Sequence, residues 1–312
     1  MRIVPLEEIR EVLPTIDVLP AIEDAFVRYS TGDAVVPPVG ELVLEKGEVH
    51  IKYGYMRGEP YYVIKIASGF YGNPKIGLPS GHGMMLLFRQ ETGEPVSILL
   101  DEGYLTDVRT AAAGAVAAKH LAPNSVTRIG IVGAGVQGRL QLEYLRTVTP
   151  CRDVLVWGRG DEELSAYRRD MEEKGFTVEG ATDADELLGT CNLVVTATPS
   201  DSPLIHASAL QPGTHITAVG SDTPHKQEVD SEILGRADVV VADSLAQCML
   251  RGEIFQALTA GAISQEKVVE LGNVIAGHAT GRVSDDQVTV ADLTGVAVQD
   301  MAIASAVFAA LS

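Results

Sequence analysis

Lys65 stands inside Tyr61-Tyr62-Val63-Ile64-Lys65-Ile66-Ala67, an apolar and β-rich run. An ammonium there is costly to bury unless it faces a cavity or a partner, and desolvation lowers its pKa toward a value useful for moving protons. Lys52 lies in a second such run, His50-Ile51-Lys52-Tyr53, and is a candidate for holding a carboxylate. Arg109 follows Leu105-Thr106-Asp107-Val108 at the start of an Ala-rich helix, with Thr106 as the expected N-cap and Arg109 in the first turn. A guanidinium binds a carboxylate bidentately, and the helix dipole favours an anion there. Asp222 follows an apolar strand at 216–219, on the carboxyl edge where open α/β sheets place ligands, and is a candidate proton acceptor.

A second constellation is the loop Gly133-Ala134-Gly135-Val136-Gln137-Gly138, which follows an expected strand at 126–132 and opens a helix. That context makes it a dinucleotide fingerprint. Gly133 allows the tight turn, Gly135 lets the backbone approach a pyrophosphate, and Gly138 lets helix and strand pack closely. Unpaired N–H groups at the helix start then face the anion. The next strand, 154–157, ends in Gly158-Arg159 where NAD sites usually carry an acid. Arg159 suits a 2′-phosphate, so NADP(H) is expected over NAD(H); Asp161, two residues on, leaves dual use open. Thr196 and Thr198, after the strand at 193–195, are expected to line the cofactor crevice or to make strand-end hydrogen bonds.

Two kinds of element must position these groups. Residues 15–30 read as a helix with Ile22, Ala25, Phe26 and Tyr29 on one face. Short strands follow at 41–44, 49–55, 61–66, 84–88 and 95–100, the last two flanking a hairpin turn. Beyond Pro123-Asn124, strands alternate with helices, which implies a parallel sheet. The segment 289–311 returns to a strand and an apolar helix. The expected fold class is α/β: a Rossmann dinucleotide-binding domain over 124–288, and a discontinuous α+β domain from 1–123 and 289–312.

Composition narrows the partners. The formal net charge is −18, with 24 Lys and Arg against 42 Asp and Glu. So few cations argue against gripping a nucleic-acid backbone or an anionic membrane. No apolar run is long enough to span a bilayer, and the N-terminus lacks a signal-peptide pattern. The three Cys (Cys151, Cys191, Cys248) are scattered, so no metal site or disulfide is expected, and a cytoplasmic location fits. His82, in Gly81-His82-Gly83, reads as a solvated loop residue.

Taken together, the chain resembles the ornithine cyclodeaminase, µ-crystallin and archaeal-type alanine dehydrogenase family. The resemblance is carried by Ile64-Lys65, by Leu105-Thr106-Asp107-Val108-Arg109-Thr110-Ala111-Ala112, and by the glycine loop. Gly220-Ser221-Asp222-Thr223-Pro224-His225-Lys226-Gln227-Glu228 and Asp292-Leu293-Thr294-Gly295-Val296-Ala297-Val298-Gln299-Asp300 complete it. Residues 63–80 and His225-Lys226-Gln227-Glu228 look most like the ectoine-utilisation branch and its iminosuccinate-reductase relatives.

The resemblance implies an enzyme acting at the Cα–N bond of a small amino or imino acid, with a substrate domain that dimerises through its sheet. It assigns Arg109 to the substrate carboxylate and Lys65 to substrate contact and proton movement. Asp222 handles an amine proton, and Ser221, Thr294 and Gly295 lie at the cofactor. One departure stands out. Relatives carry an Arg after a Pro near the first strand, whereas Val36-Pro37-Pro38-Val39-Gly40-Glu41 has none. Either Lys52 substitutes or the substrate is held differently, and Glu41 is a candidate for a substrate cation. The leading expectation is an imino-acid reductase or amino-acid dehydrogenase. The alternatives are an ornithine-type cyclodeaminase and, behind it, a non-catalytic NADPH-dependent binding protein.

Overall fold

Side chains that alternate apolar and polar make the N-terminal half of the chain a sheet. In a computed structural model, which describes residues 1–311, its strands are β1 (Arg2–Pro5), β2 (Ala34–Val35), β3 (Gly40–Leu44), β4 (Gly47–Met56), β5 (Tyr61–Gly69), β6 (Gly81–Arg89) and β7 (Pro95–Leu100). They run in the order β1-β7-β6-β5-β4-β2, with β3 also paired to β4. β1 joins β7 in parallel, and the other pairs are antiparallel. The two-residue period sends Lys52 and Met56 of β4, Val63 and Lys65 of β5, and Met85 and Leu87 of β6 to one buried face.

Two helices lie between β1 and β2, α1 (Leu6–Val12) and α2 (Val18–Ser30). In α2 the buried stripe is Val18, Ile22, Ala25 and Phe26; Tyr29 is only half-buried. The C-terminal helix, Ala297–Ala310, packs on α2 and on β4, β5 and β6. These elements form one compact unit, Met1–Arg109 with the chain from Val296 onward.

The other unit is Thr110–Gly295. Its strands are β8 (Ile129–Val132), β9 (Asp153–Trp157), β10 (Thr177–Gly180), β11 (Leu193–Thr196), β12 (Asp201–Ile205), β13 (His215–Ala218), β14 (Gln227–Val229), β15 (Val239–Ala242), β16 (Val268–Glu270) and β17 (Thr289–Asp292). Between them run α4 (Val136–Leu145), α5 (Asp161–Glu173), α6 (Ala184–Thr190), α7 (Ser231–Arg236), α8 (Leu245–Cys248), α9 (Gly252–Thr259) and α10 (Leu271–Ile275). The C-terminal helix is therefore α11, and α3 (Tyr104–Leu121) runs from one unit into the other. Eight strands form a parallel sheet in the order β10-β9-β8-β11-β13-β17-β15-β16. Order reverses between β8 and β11, the switch point at which open α/β sheets bind ligands.

The structure corrects two expectations. β17 pairs on both sides, with β13 and β15, so residues 289–292 belong to the parallel sheet and 289–295 to the second unit, not to the α+β part as the boundary at 288 had it. Hydrogen-bond completion inside a sheet outweighs position in the chain. Helix α3 starts at Tyr104, so Thr106 is not its N-cap and Arg109 lies in its second turn. Asp101 takes the capping role, accepting the Leu105 N–H at 2.9 Å. Among the described residues no helix is long and apolar enough to cross a membrane, and no group of His, Cys, Asp or Glu is arranged to hold a metal ion.

Candidate active site

The first unit gathers charge in its interior. Lys52 and Lys65 are directly opposite one another in the β4–β5 ladder, both on the buried face. Lys65 is 2% exposed and Arg109 4%. Asp300 on α11 joins them: its Oδ2 is 3.3 Å from Lys65 Nζ, and its Oδ1 is 2.9 Å from Arg109 Nε. Arg109 Nη1 donates to Gln299 Oε1 at 2.5 Å. The Asp300 distances suit ion pairing, but the angles do not suit hydrogen bonds. Both Asp300 oxygens, Arg109 Nε, Gln299 Nε2 and Asp101 Oδ1 are buried without an aligned partner. Native interiors rarely leave so many polar atoms unmatched in one place, and such a cluster fits a polar ligand.

Electrostatics follow from this packing. Burial, then the Arg109 charge, lower the Lys65 pKa from 10.5 to about 7; Asp300 resists the shift and Lys52 adds to it. Burial also pushes Asp101 up to about 6. An amine poised near neutrality exchanges protons in either direction. Glu41 sits on β3, 3.0 Å from His50 Nε2. Gln299 and Asp300 close one of the segments that carry the resemblance but have no role assigned from sequence, although both stand in a helix otherwise rich in Ala, Val, Met and Ile. Paired polar residues in such a helix were the available signal.

The second unit carries the glycine loop. Gly133 has φ +114, and a side chain there would meet the Ala197 carbonyl at 2.7 Å, so only glycine makes this turn. Gly138 packs so closely that a Cβ would lie 1.9 Å from the Gly133 carbonyl oxygen. Gly135 looks onto open space, with nothing within 4 Å of where its Cβ would stand. A tight turn, a close helix and an open backbone face at the switch point suit a pyrophosphate. Ala134 is buried beneath the loop, Val136 is exposed, and Gln137 accepts from Gln141 Nε2 at 3.4 Å. Arg159 is exposed just past β9.

The polar residues expected at the cofactor are engaged within the protein. Thr196 Oγ1 and Thr198 Oγ1 donate to Glu228, at 2.9 and 2.8 Å. Thr294 Oγ1 donates to Asp243 at 3.0 Å, and the Gly295 N–H donates to the same carboxylate at 2.6 Å. Ser221 Oγ donates to the Lys226 carbonyl at 2.7 Å. These hydroxyls therefore shape loops at the carboxyl edge. Asp222 is half-buried, and Lys226 Nζ pairs with it at 2.8 Å. Glu228, inside β14, and Asp243, just past β15, are buried acids with no role assigned from sequence, because sequence alone does not distinguish a buried carboxylate from a solvated one.

Residues 3–312 match the Ornithine cyclodeaminase/mu-crystallin family. A protein of Sinorhizobium fredii named as an uncharacterized cyclodeaminase is 45% identical, covering 99% of this chain and 95% of its own. The iminosuccinate reductase of Paracoccus denitrificans is 35% identical, covering 98% and 95%. Among solved structures, an archaeal alanine dehydrogenase dimer with bound NAD superposes with a TM-score of 0.92 at 36% identity, covering 99% of this chain and 95% of that one. The Thermococcus litoralis Δ1-pyrroline-2-carboxylate reductase, in complex with NADH and L-proline, gives 0.94 at 27% identity, covering 99% and 97%.

Proposed function

The chain belongs to the Ornithine cyclodeaminase/mu-crystallin family, and from that premise we propose that it is an NAD(P)-dependent oxidoreductase acting at the Cα–N bond of a small amino or imino acid. The observation that carries this reading is the buried Lys65–Asp300–Arg109 cluster, with Lys65 poised near neutrality. Arg109, oriented by Gln299 and Asp300, binds the substrate carboxylate. Lys52, opposite Lys65, adds a second cation to the same face. Lys65 gives a proton to the substrate nitrogen as the imine is reduced, and takes it back in the reverse direction. A bound nicotinamide supplies or accepts the hydride at Cα. Asp300 keeps the Lys65 ammonium from losing its proton altogether in a buried site.

The Gly133–Gly138 loop holds the cofactor pyrophosphate. Arg159, with no acid at the end of β9, favours NADP(H) over NAD(H). The relatives with bound NAD and NADH support a nicotinamide cofactor in general. The outer face of the first sheet carries Tyr53, Tyr55, Tyr62 and Ile64 around a hollow of about 480 Å³, and we assign it to a homodimer; the archaeal alanine dehydrogenase is itself a dimer.

A second reading is cyclodeamination, favoured by Asp222, which is half-buried and held by Lys226 at the carboxyl edge. There the imine is attacked by a side-chain amine of the same substrate, and no net change in NAD(P)H results. Following NADPH absorbance over a panel of cyclic imines, 2-oxo acids with ammonia or methylamine, and basic amino acids tests the first reading. Ammonia release from ornithine at constant absorbance contradicts it.

A further inference from the structure

Glu228 is 0% exposed and stands on β14 of the second unit. Its carboxylate collects four donors, one from the last residue of β11 and three from the loops after β11 and β13. Oε1 accepts the Thr198 N–H at 2.5 Å and Thr198 Oγ1 at 2.8 Å. Oε2 accepts Thr196 Oγ1 at 2.9 Å and the Gly220 N–H at 2.9 Å. Two of those donors are backbone groups just past β11 and β13, which are neighbours in the parallel sheet. The loops touch at Gly220, where a Cβ would lie 2.1 Å from the Thr198 carbonyl oxygen and 2.5 Å from Glu228 Oε2.

The first of these loops also meets the dinucleotide fingerprint. A Cβ on Gly133 would lie 2.9 Å from Thr198 Cγ2. So Glu228 holds Thr198, and Thr198 abuts the turn that opens the glycine loop. Glu228 is itself anchored: its N–H and that of Val229 donate to the two oxygens of Glu253, at 2.7 and 3.2 Å. This is a nested arrangement of two buried carboxylates behind one wall of the switch-point crevice. Burying two acids so deeply is unfavourable unless their oxygens are hydrogen-bonded, and a fully bonded buried network holds its donors rigidly.

We propose that Glu228 is a positioning residue for the dinucleotide: its carboxylate locks the loops after β11 and β13 together and so fixes the wall of the crevice beside Gly133. The inference rests on the proposed use of NAD(P)H. Both oxygens are needed as acceptors. A glutamine there turns an N–H toward a fixed backbone N–H, and one loop must move away. The hydroxyls of Thr196 and Thr198 rotate to adapt; the backbone amides of Thr198 and Gly220 do not.

The test is a fluorescence titration of NADPH and of NADH into the full chain, at about pH 8, above the value of about 7 to which burial raises Glu228. Glu228→Gln is expected to raise the Kd by about tenfold for both dinucleotides, while KM for the imino acid stays within about twofold and thermal unfolding stays cooperative. Thr196→Val removes one donor to Oε2 without touching the charge. It is expected to raise Kd by a smaller factor, and it carries the test if Glu228→Gln does not fold. A wild-type Kd in every variant that folds, with only Tm lowered, makes Glu228 merely structural and overturns the inference. Absence of dinucleotide binding by the unsubstituted chain is a separate outcome, which overturns the reading beneath it as well.

Discussion

Lys65 Nζ lies 3.3 Å from Asp300 Oδ2, and neither side chain is more than 2% exposed. The pair is a contact between the middle of a strand and the first turn of a helix from the far end of the chain. Asp300 pulls the Lys65 pKa upward while burial, Arg109 and Lys52 push it down. The balance, at about 7, sets the pH range in which the amine changes state.

The first prediction concerns that range. Imine reduction uses the protonated amine, so kcat/KM for the imine falls as pH rises through about 7, and amino-acid oxidation rises over the same interval. Asp300→Asn removes the charge that holds the Lys65 pKa up, so the limb moves to lower pH. A pH profile unchanged in Asp300→Asn separates the limb from Lys65.

Lys65→Met is expected to reduce turnover by about 100-fold or more, with the Kd for NADPH unchanged. Its stability signature has a definite sign. The folded amine loses its proton near 7 and the unfolded one near 10.5, so between those values the unfolded state binds more protons and stability rises with pH. Below both, the penalty of the buried charge is fully present. Urea midpoints across that interval should climb in the natural chain more steeply than in Lys65→Met.

Arg109 is expected to act on binding. Arg109→Lys keeps the charge but loses the planar fork, and it disturbs the Gln299 contact at 2.5 Å. KM for the imino acid should rise by about 10- to 100-fold. A KM close to that of the natural chain removes Arg109 from the carboxylate.

Cofactor choice is tested at Arg159, which is exposed and lies outside both buried networks. Arg159→Ala should reduce the kcat/KM ratio of NADPH to NADH by about tenfold, with little change for NADH alone. A natural chain that already prefers NADH contradicts the assignment.

Much of this architecture was legible because local patterns and global fold agree. The alternation in Tyr61–Gly69 marks Lys65 as an inward-facing cation. The strand-loop-helix context of Gly133–Gly138 marks the nucleotide turn. What was not legible depends on partners distant in sequence. Asp300 becomes a partner of Lys65 only when α11 packs on β5. That Glu228 reaches Thr196 and Thr198, and that Asp243 reaches Thr294, is likewise invisible in sequence order. The strand at 289–292 was placed with the helix that follows it because sequence order does not disclose that β17 inserts between β13 and β15.

The most direct test of the account is the stoichiometry of NADPH oxidation with an imino-acid substrate drawn from the panel. The account predicts one NADPH consumed per amino acid formed, abolished by Lys65→Met with dinucleotide binding intact. Amino-acid turnover with ammonia release and no net change in NADPH would contradict it.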